Sequence, residues 1–312
     1  MMSKSIRVYS PATVSNVTCG FDVLGFAIEK PGDTILAEQS ARPGVRIKEI
    51  VGSDSIPLNP LENVASVAAQ ALVNHVDSKI GIDLTIYKNI KAGSGIGSSA
   101  SSAVAATFAT NQLLGAPIKN TFDLIPFAMQ GEQIASGAFH ADNVAPALLG
   151  GFIIVRSNDP LDVVQLGAPP ELYTVVIHPD VQIKTSESRK LLPAQVPLKS
   201  LVTQTGNLAG LVAGLLQHDY DLIGRSMIDI IVEPARAATI PGFKELKQTA
   251  LDAGALGAGI SGSGPSVFAL CKGEASAQKV LEEMKRSYQN FNIPFDTYIS
   301  PINKKGTIEI ID

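Results

Sequence analysis

Lys91-Ala92-Gly93-Ser94-Gly95-Ile96-Gly97-Ser98-Ser99-Ala100-Ser101 is the stretch that decides the fold. Just before it, Ile82-Asp83-Leu84-Thr85-Ile86-Tyr87 alternates apolar and polar residues, which predicts a strand. After it, Ala- and Val-rich sequence runs to about Leu114 and is closed by Gly115 and Pro117, which predicts a helix. Gly93, Gly95 and Gly97 allow positive φ and close approach of a ligand to the backbone. The unpaired N–H groups and dipole of the helix start favour an anion. Successive amides in such a bend cradle phosphate oxygens, and Ser98 and Ser99 add hydroxyls, one of them suited to Mg²⁺. A P-loop is excluded, because no Gly-Lys-Ser/Thr follows at the required spacing. Taken alone, the loop is equally consistent with a flexible turn before a Ser-capped helix.

Outward from this loop, the 312 residues suffice for one large domain or two smaller ones. With 45% hydrophobic and 17% charged residues the chain is globular; with no Trp and 5% aromatics its core is expected to be aliphatic. A net charge of −4 argues against nucleic acid as the main partner. No apolar run is long enough to span a membrane, and Met1-Met2-Ser3-Lys4-Ser5-Ile6-Arg7 lacks the apolar core of a signal peptide. A cytoplasmic location is therefore expected. Cys19 and Cys271 lie far apart in sequence and read as reduced thiols, and the Asn16-Val17-Thr18 sequon reads as accidental.

The first ~50 residues read as short strands and turns. Asn63 is placed to cap a helix over Val64–Leu72, and residues 121–138 predict another. Gly150–Val155 reads as a turn and a buried strand. Asp159-Pro160 to Pro169-Pro170 looks like a boundary, dividing the chain into 1–165 and 166–312. Beyond it, strands are expected near 172–177, 266–271 and 294–299, and helices near 203–217, 219–231, 241–253 and 274–290. Without strict βα alternation, the class is α+β.

Gly257-Ala258-Gly259-Ile260-Ser261-Gly262 matches the dinucleotide fingerprint literally. That motif needs a strand before it and a helix after it; here a helix is expected before and a strand after, so it reads as a tight turn near a phosphate or a close-packed bend. In order and spacing, Pro11-Ala12-Thr13-Val14-Ser15-Asn16-Val17-Thr18-Cys19-Gly20-Phe21-Asp22, the loop at 93–101, and Gly257–Ser266 resemble the three motifs of the GHMP kinases, a family of small-molecule kinases. The resemblance spans essentially the whole chain. It implies two α+β domains, an N-terminal nucleotide-binding one with a left-handed βαβ unit and a ferredoxin-like C-terminal one. His140-Ala141-Asp142-Asn143-Val144-Ala145-Pro146-Ala147 and Glu233-Pro234-Ala235-Arg236 resemble the branch that phosphorylates L-homoserine with ATP and Mg²⁺, on the way to threonine.

The resemblance implies roles for individual residues. Asn63 and Lys91 through Ser101 would hold the nucleotide, with Ala92, Gly93, Ser94, Gly95, Ile96, Gly97, Ser98, Ser99 and Ala100 between, and Ser98 and Glu132 would hold Mg²⁺. Arg189 and Arg236 would clamp a carboxylate, Asp22 and Asn16 an ammonium, and His140 and Asn143 would meet further parts of the substrate. Asn143 stands where several relatives carry an aspartate. An amide takes no proton at neutral pH, so catalysis by alignment and charge stabilisation is expected, with Ser98, Glu132 and Asn143 as the catalytic set and Asp142 as the fallback base. The partners expected are small-molecule substrates and a second copy in a homodimer, with neither nucleic acid nor membrane.

Overall fold

The structure is a computed structural model; it describes residues 4–137, 139–183 and 185–311, apart from the side chains of Ser136 and Ser186. Met1–Ser3, where the leader reading began, lie outside the described residues. The chain opens with β1 (Ser5–Val17), β2 (Gly20–Ser40) and β3 (Gly44–Val51), then α1 (Val64–His75) and β4 (Gly81–Tyr87). It continues through α2 (Ser98–Leu113), α3 (Ile125–Ser136), α4 (Val144–Leu149), β5 (Phe152–Asn158) and β6 (Leu161–Gly167). The second half holds β7 (Leu172–Pro179), α5 (Thr185–Lys190), α6 (Leu198–Gln217), α7 (Tyr220–Ser226), α8 (Val232–Arg236) and α9 (Phe243–Asp252). It ends with β8 (Gly257–Ile260), β9 (Val267–Lys272), α10 (Glu274–Tyr288), β10 (Phe295–Pro301) and β11 (Ile308–Glu309).

The first sheet runs β11-β1-β2-β4-β3, with β5 on β2 and β6 on β5. β3 and β4 are parallel and α1 crosses between them, forming the βαβ unit. The first 50 residues do not form short strands: β1 has 13 residues and β2 has 21. Their alternation is masked by a register shift between Pro11 and Thr13. That irregularity has a use, because the Thr13 amide reaches the Ile96 carbonyl of the glycine loop at 3.1 Å. Asn63 caps α1 through a side-chain bond to the Ala65 amide. α2 is buried on nearly every side, and its small residues (Ala100, Ala103, Ala105, Ala106 and Ala109, all 0% exposed) let α1, α3 and the sheet approach closely.

β10-β7-β9-β8 forms a second, fully antiparallel sheet. Helices lie between β7 and β8 and between β9 and β10, which is the ferredoxin-like βαββαβ order. The stretch read as a boundary, 159–170, contains β6, a hairpin partner of β5. The helix expected over 219–231 breaks after Ser226. Asp229 ends it by accepting from the amides of Ile231, Val232 and Glu233 at 2.8–2.9 Å, which starts α8 instead. Helix α9 precedes the second glycine motif, whose first four residues, Gly257–Ile260, are β8 itself, and the strand β9 follows the turn; with no helix after the turn, the dinucleotide reading fails. Among the described residues no helix is long and apolar enough to cross a membrane, and both cysteines are buried free thiols.

Candidate active site

A cavity of about 640 Å³ opens beside the glycine loop, with Asn63 and Glu132 on one side and Asp22, Arg189, Gly262 and Ser263 on the other. Gly93, Gly95 and Gly97 all have positive φ (75°, 80° and 68°). A Cβ on Gly95 would lie 2.6 Å from the Gly264 carbonyl, and one on Gly97 would lie 2.0 Å from Thr13 Oγ1; only glycine fits there. The loop carbonyls are held from behind: Ser261 Oγ donates to Gly95 O at 2.7 Å and Ser266 Oγ to Ser94 O at 2.6 Å. The amides of Gly95 through Ala100 make no bond to protein among the described residues. This leaves N–H groups at the start of a 16-residue helix beside the cavity, the arrangement that binds phosphate.

Beneath that helix start lies a polar cluster around Lys88, which flanks the glycine loop in sequence and reads there as a candidate phosphate contact; its partners have no such signal. Lys88 pairs with Asp33, which is fully buried, and also donates to Ser98 O, Ser98 Oγ and Ser102 Oγ at 2.9–3.0 Å. Asp33 further accepts from Ser102 Oγ and the amides of Asn89 and Ile90. Lys88 and Asp33 are 55 residues apart, so only the β2–β4 pairing reveals them. Ser98 Oγ gives its proton to Ile90 O, which leaves one lone pair after the Lys88 bond.

At the opposite end, Arg189 makes two bonds of 3.0 Å to the two oxygens of Asp22. Arg236 is 2% exposed and donates to Gly262 O at 3.0 Å. Both guanidinium groups lie over the Phe21 ring, at 5.5 and 5.1 Å. Among the described residues Arg236 has no carboxylate partner, and its Nε has no bond. Burial, and then the charge of Arg189, lower its pKa. Asn16 and Asp22 are left-handed (φ 56° and 55°), a conformation Asn and Asp tolerate better than most residues. Asn16 ties the segment together by accepting from the Asp22 amide and donating to Gly262 O, both at 2.8 Å.

Between these ends, Asn143 Oδ1 accepts from Thr13 Oγ1 at 2.7 Å and its Nδ2 donates to Ser15 Oγ at 2.9 Å, so the amide is oriented. Asp142 is buried, and burial followed by nearby Asp22 raises its pKa, against His140 and a hydrogen bond with Ser15. Burial pushes Glu132 up to about 7, opposed by a hydrogen bond with Ser99 and aided by the charge of Asp142. His140 lines the same cavity with an unpartnered Nδ1.

Asn16, Asp22, Glu132, His140, Asn143, Arg189, Arg236, Asn63, Ala92 through Gly95, and Gly97 through Ser99 therefore share one cavity. Lys91, Ile96, Ala100 and Ser101 do not line it. Lys91 pairs with Asp296 on β10 at 2.8 Å, Ile96 and Ala100 are core residues, and Ser101 Oγ donates to Ser10 O. The side chain of Asn63 is spent on its cap and on Pro57 O. Thr13, Ser15 and Asp33 carried no distinguishing pattern in the sequence, whereas Lys88 is readable there as a cation flanking the loop, though not as the partner of a buried Asp33.

Comparison with known proteins agrees with this geometry. The model of the GHMP kinases N terminal domain matches residues 63–151, and that of GHMP kinases C terminal matches residues 211–290. A homoserine kinase of Chloroherpeton thalassium is 43% identical over 316 aligned positions, covering 97% of this chain and 99% of that protein. The chain belongs to the homoserine kinase branch of the GHMP kinase family. It is a phosphotransferase, as that family is. The crystal structure of a homoserine kinase from Cytophaga hutchinsonii superposes with a TM-score of 0.96 at 51% identity, covering 99% of this chain and 98% of that one. A mevalonate kinase from L. major, solved with R-mevalonate, shares the GHMP fold at a TM-score of 0.73 and 17% identity, covering 96% of this chain and 97% of that one.

Proposed function

We propose that this chain transfers the γ-phosphoryl group of ATP to the hydroxyl of L-homoserine, forming O-phospho-L-homoserine and ADP. The observation that carries the reading is Arg236: among the described residues, a buried guanidinium without a carboxylate partner, in the same cavity as a row of amides that bond to no protein group. A zwitterionic amino acid complements it. The substrate carboxylate binds Arg236 and the outer edge of Arg189, and the ammonium binds Asp22. The triphosphate lies on the amides from Gly93 to Ser99, with the adenine toward Asn63, Ile56 and Pro57.

The substrate oxygen attacks the γ-phosphorus, the bond to the bridging β–γ oxygen breaks, and the hydroxyl proton leaves late, through the transferred group to solvent. A loose transition state requires little deprotonation beforehand, so Asn143 aligns the hydroxyl without accepting its proton. Mg²⁺ fits the donors present, since the Glu132 carboxyl and the free lone pair of Ser98 are hard oxygen ligands, and two suffice when phosphate oxygens and waters complete the shell. Bound there, the ion would neutralise charge on the β- and γ-phosphates. Residues 1–165 would act as the nucleotide domain and 166–312 as the second domain, in a cytoplasmic homodimer serving threonine synthesis.

The test is ADP release measured with L-homoserine, with R-mevalonate, and with no acceptor. Homoserine-dependent release is expected. Turnover of mevalonate instead, or binding of both substrates without turnover, would refute the assignment.

A further inference from the structure

The inner face of α6 buries Gln204 beside Leu211, Gly214 and Leu215, and Gln204 is only 9% exposed. A buried amide costs free energy unless its polar atoms are bonded. Those of Gln204 are. Its Nε2 donates to Cys19 O at 3.3 Å and to Asp229 Oδ1 at 2.9 Å, and its Oε1 accepts from the Ile230 amide at 3.1 Å. Both N–H groups and one oxygen lone pair are thereby engaged. Cys19 lies 185 residues away in sequence and Asp229 lies 25 residues away, so one amide joins two distant parts of the chain.

Each of those parts carries one half of the receptor for an amino-acid head group. Cys19 sits between Asn16 and Asp22, in a segment where Asn16, Thr18 and Asp22 all have positive φ (56°, 45° and 55°). Residues other than glycine stay in that region only where their surroundings hold them. Asp229 starts α8 by accepting from the amides of Ile231, Val232 and Glu233, and Arg236 is the last residue of that five-residue helix. On the cavity side the same two segments meet at a single atom: Gly262 O accepts from Asn16 Nδ2 at 2.8 Å and from Arg236 Nη1 at 3.0 Å. The Asp22 segment and the Arg236 helix are therefore joined twice, at Gly262 O beside the cavity and at Gln204 behind it. One junction alone would act as a pivot; two fix the spacing between the segments.

An α-amino acid presents its ammonium and carboxylate from one carbon atom, so its head group cannot stretch toward receptors that drift apart. We propose that Gln204 is a positioning residue for the amino-acid substrate, its amide fixing the spacing between the segment that carries Asp22 and the helix that carries Arg236. This rests on the homoserine reading above, in which Asp22 takes the ammonium and Arg236 the carboxylate. The glycine loop is held independently, through Ser261 Oγ and Ser266 Oγ, so Gln204 serves the amino acid and not the nucleotide.

Steady-state ADP release by the full chain, with homoserine and ATP varied in turn, tests the proposal. Gln204→Met keeps the length of the side chain and removes all three bonds. It should raise the homoserine KM by about 10- to 100-fold, the scale of a misplacement of about 1 Å, with the ATP KM within about twofold of wild type and circular dichroism unchanged. Gln204→Asn keeps an amide one methylene short, holds one segment at most, and should fall between the two; it makes the same comparison if the methionine variant does not fold. In an Arg236→Met background, Gln204→Met should raise the homoserine KM by at most about threefold, because the receptor it positions is already gone. A homoserine KM within about twofold of wild type in Gln204→Met, an ATP KM that rises in parallel, or an undiminished effect in the Arg236→Met background would overturn the proposal and leave the functional reading standing. A wild type that releases no ADP with homoserine would overturn the functional reading and this proposal with it.

Discussion

Replacing Arg236 with methionine separates binding from folding more cleanly than any other change in the site. Arg236 is 2% exposed and touches Gly262 O, the Phe21 ring and the field of Arg189, but no carboxylate among the described residues. In the free protein it is a buried cation that feels Asp22, Asp229 and Asp142 at a distance but, among the described residues, bonds to no carboxylate, and its removal is neutral or stabilising when an apolar chain of similar shape replaces it. Gly262 O keeps its bond from Asn16. The melting temperature of Arg236→Met should therefore hold or rise by a few degrees. With homoserine bound, the same change deletes one partner of a buried charge pair, which costs about 2–5 kcal/mol. That is a loss of about 30-fold to several thousand-fold in kcat/KM, carried mostly by the homoserine KM, with the ATP KM unchanged. Coupled ADP release gives the constants and a thermal melt gives the stability. A homoserine KM within about threefold of wild type, or a melting point that collapses, would refute the assignment of Arg236 as an anion receptor held ready for the substrate.

Glu132→Gln tests the raised carboxyl. With a pKa of about 7 in the folded chain against 4.5 unfolded, the folded state holds the extra proton between those values, so wild-type stability falls as pH rises from 4.5 to 7. The glutamine variant should escape that fall and exceed wild type by about 1–3 kcal/mol in urea unfolding at pH 8, with little difference at pH 4.5; the opposite trend would count against a buried carboxyl. The same variant should turn over more slowly and need more Mg²⁺, and an unchanged Mg²⁺ titration would remove Glu132 from the metal site. Thr13→Val frees the Asn143 amide from one of its two anchors and should lower kcat by about 3- to 10-fold at constant KM, while Thr13→Ser restores it; equal rates in valine and serine variants would dismiss the hydroxyl. Gly97→Ala forces a side chain into a left-handed residue and against Thr13, so a rise of at least about tenfold in the ATP KM and a lower melting point are expected, and wild-type values for both would contradict the packing.

Local chemistry was legible and long-range pairing was not. β4, the glycine loop and α2 could be read because a strict alternation, three glycines and an alanine-rich run follow one another without interruption. Asn63 was readable as a cap because capping involves neighbours in sequence. β1 and β2 looked shorter than they are because Pro11, Gly20, Gly25 and Pro31 interrupt the pattern, while their 11 paired positions supply a ladder that no single strand displays. β6 was hidden because Asp159-Pro160 is a hairpin turn with the composition of a linker. In the site, motif resemblance brought Asn16, Asp22, Arg189 and Arg236 together, and they do share the cavity. The side chains of Lys91, Ile96 and Ser101 turn to neighbouring structure, which leaves only their backbone to face a nucleotide. The Lys88–Asp33 pair and the Thr13–Asn143 bond, across 55 and 130 residues, depend on strand pairing and have no local signature.

The most direct measurement of the central claim is a crystal structure of the full chain with a non-hydrolysable ATP analogue and L-homoserine. The account places the β- and γ-phosphates on the amides between Gly93 and Ser99, the homoserine carboxylate against Arg236, and its hydroxyl between Asn143 and the γ-phosphorus. Phosphates bound away from that loop, or a homoserine carboxylate that leaves Arg236 unpaired, would contradict it.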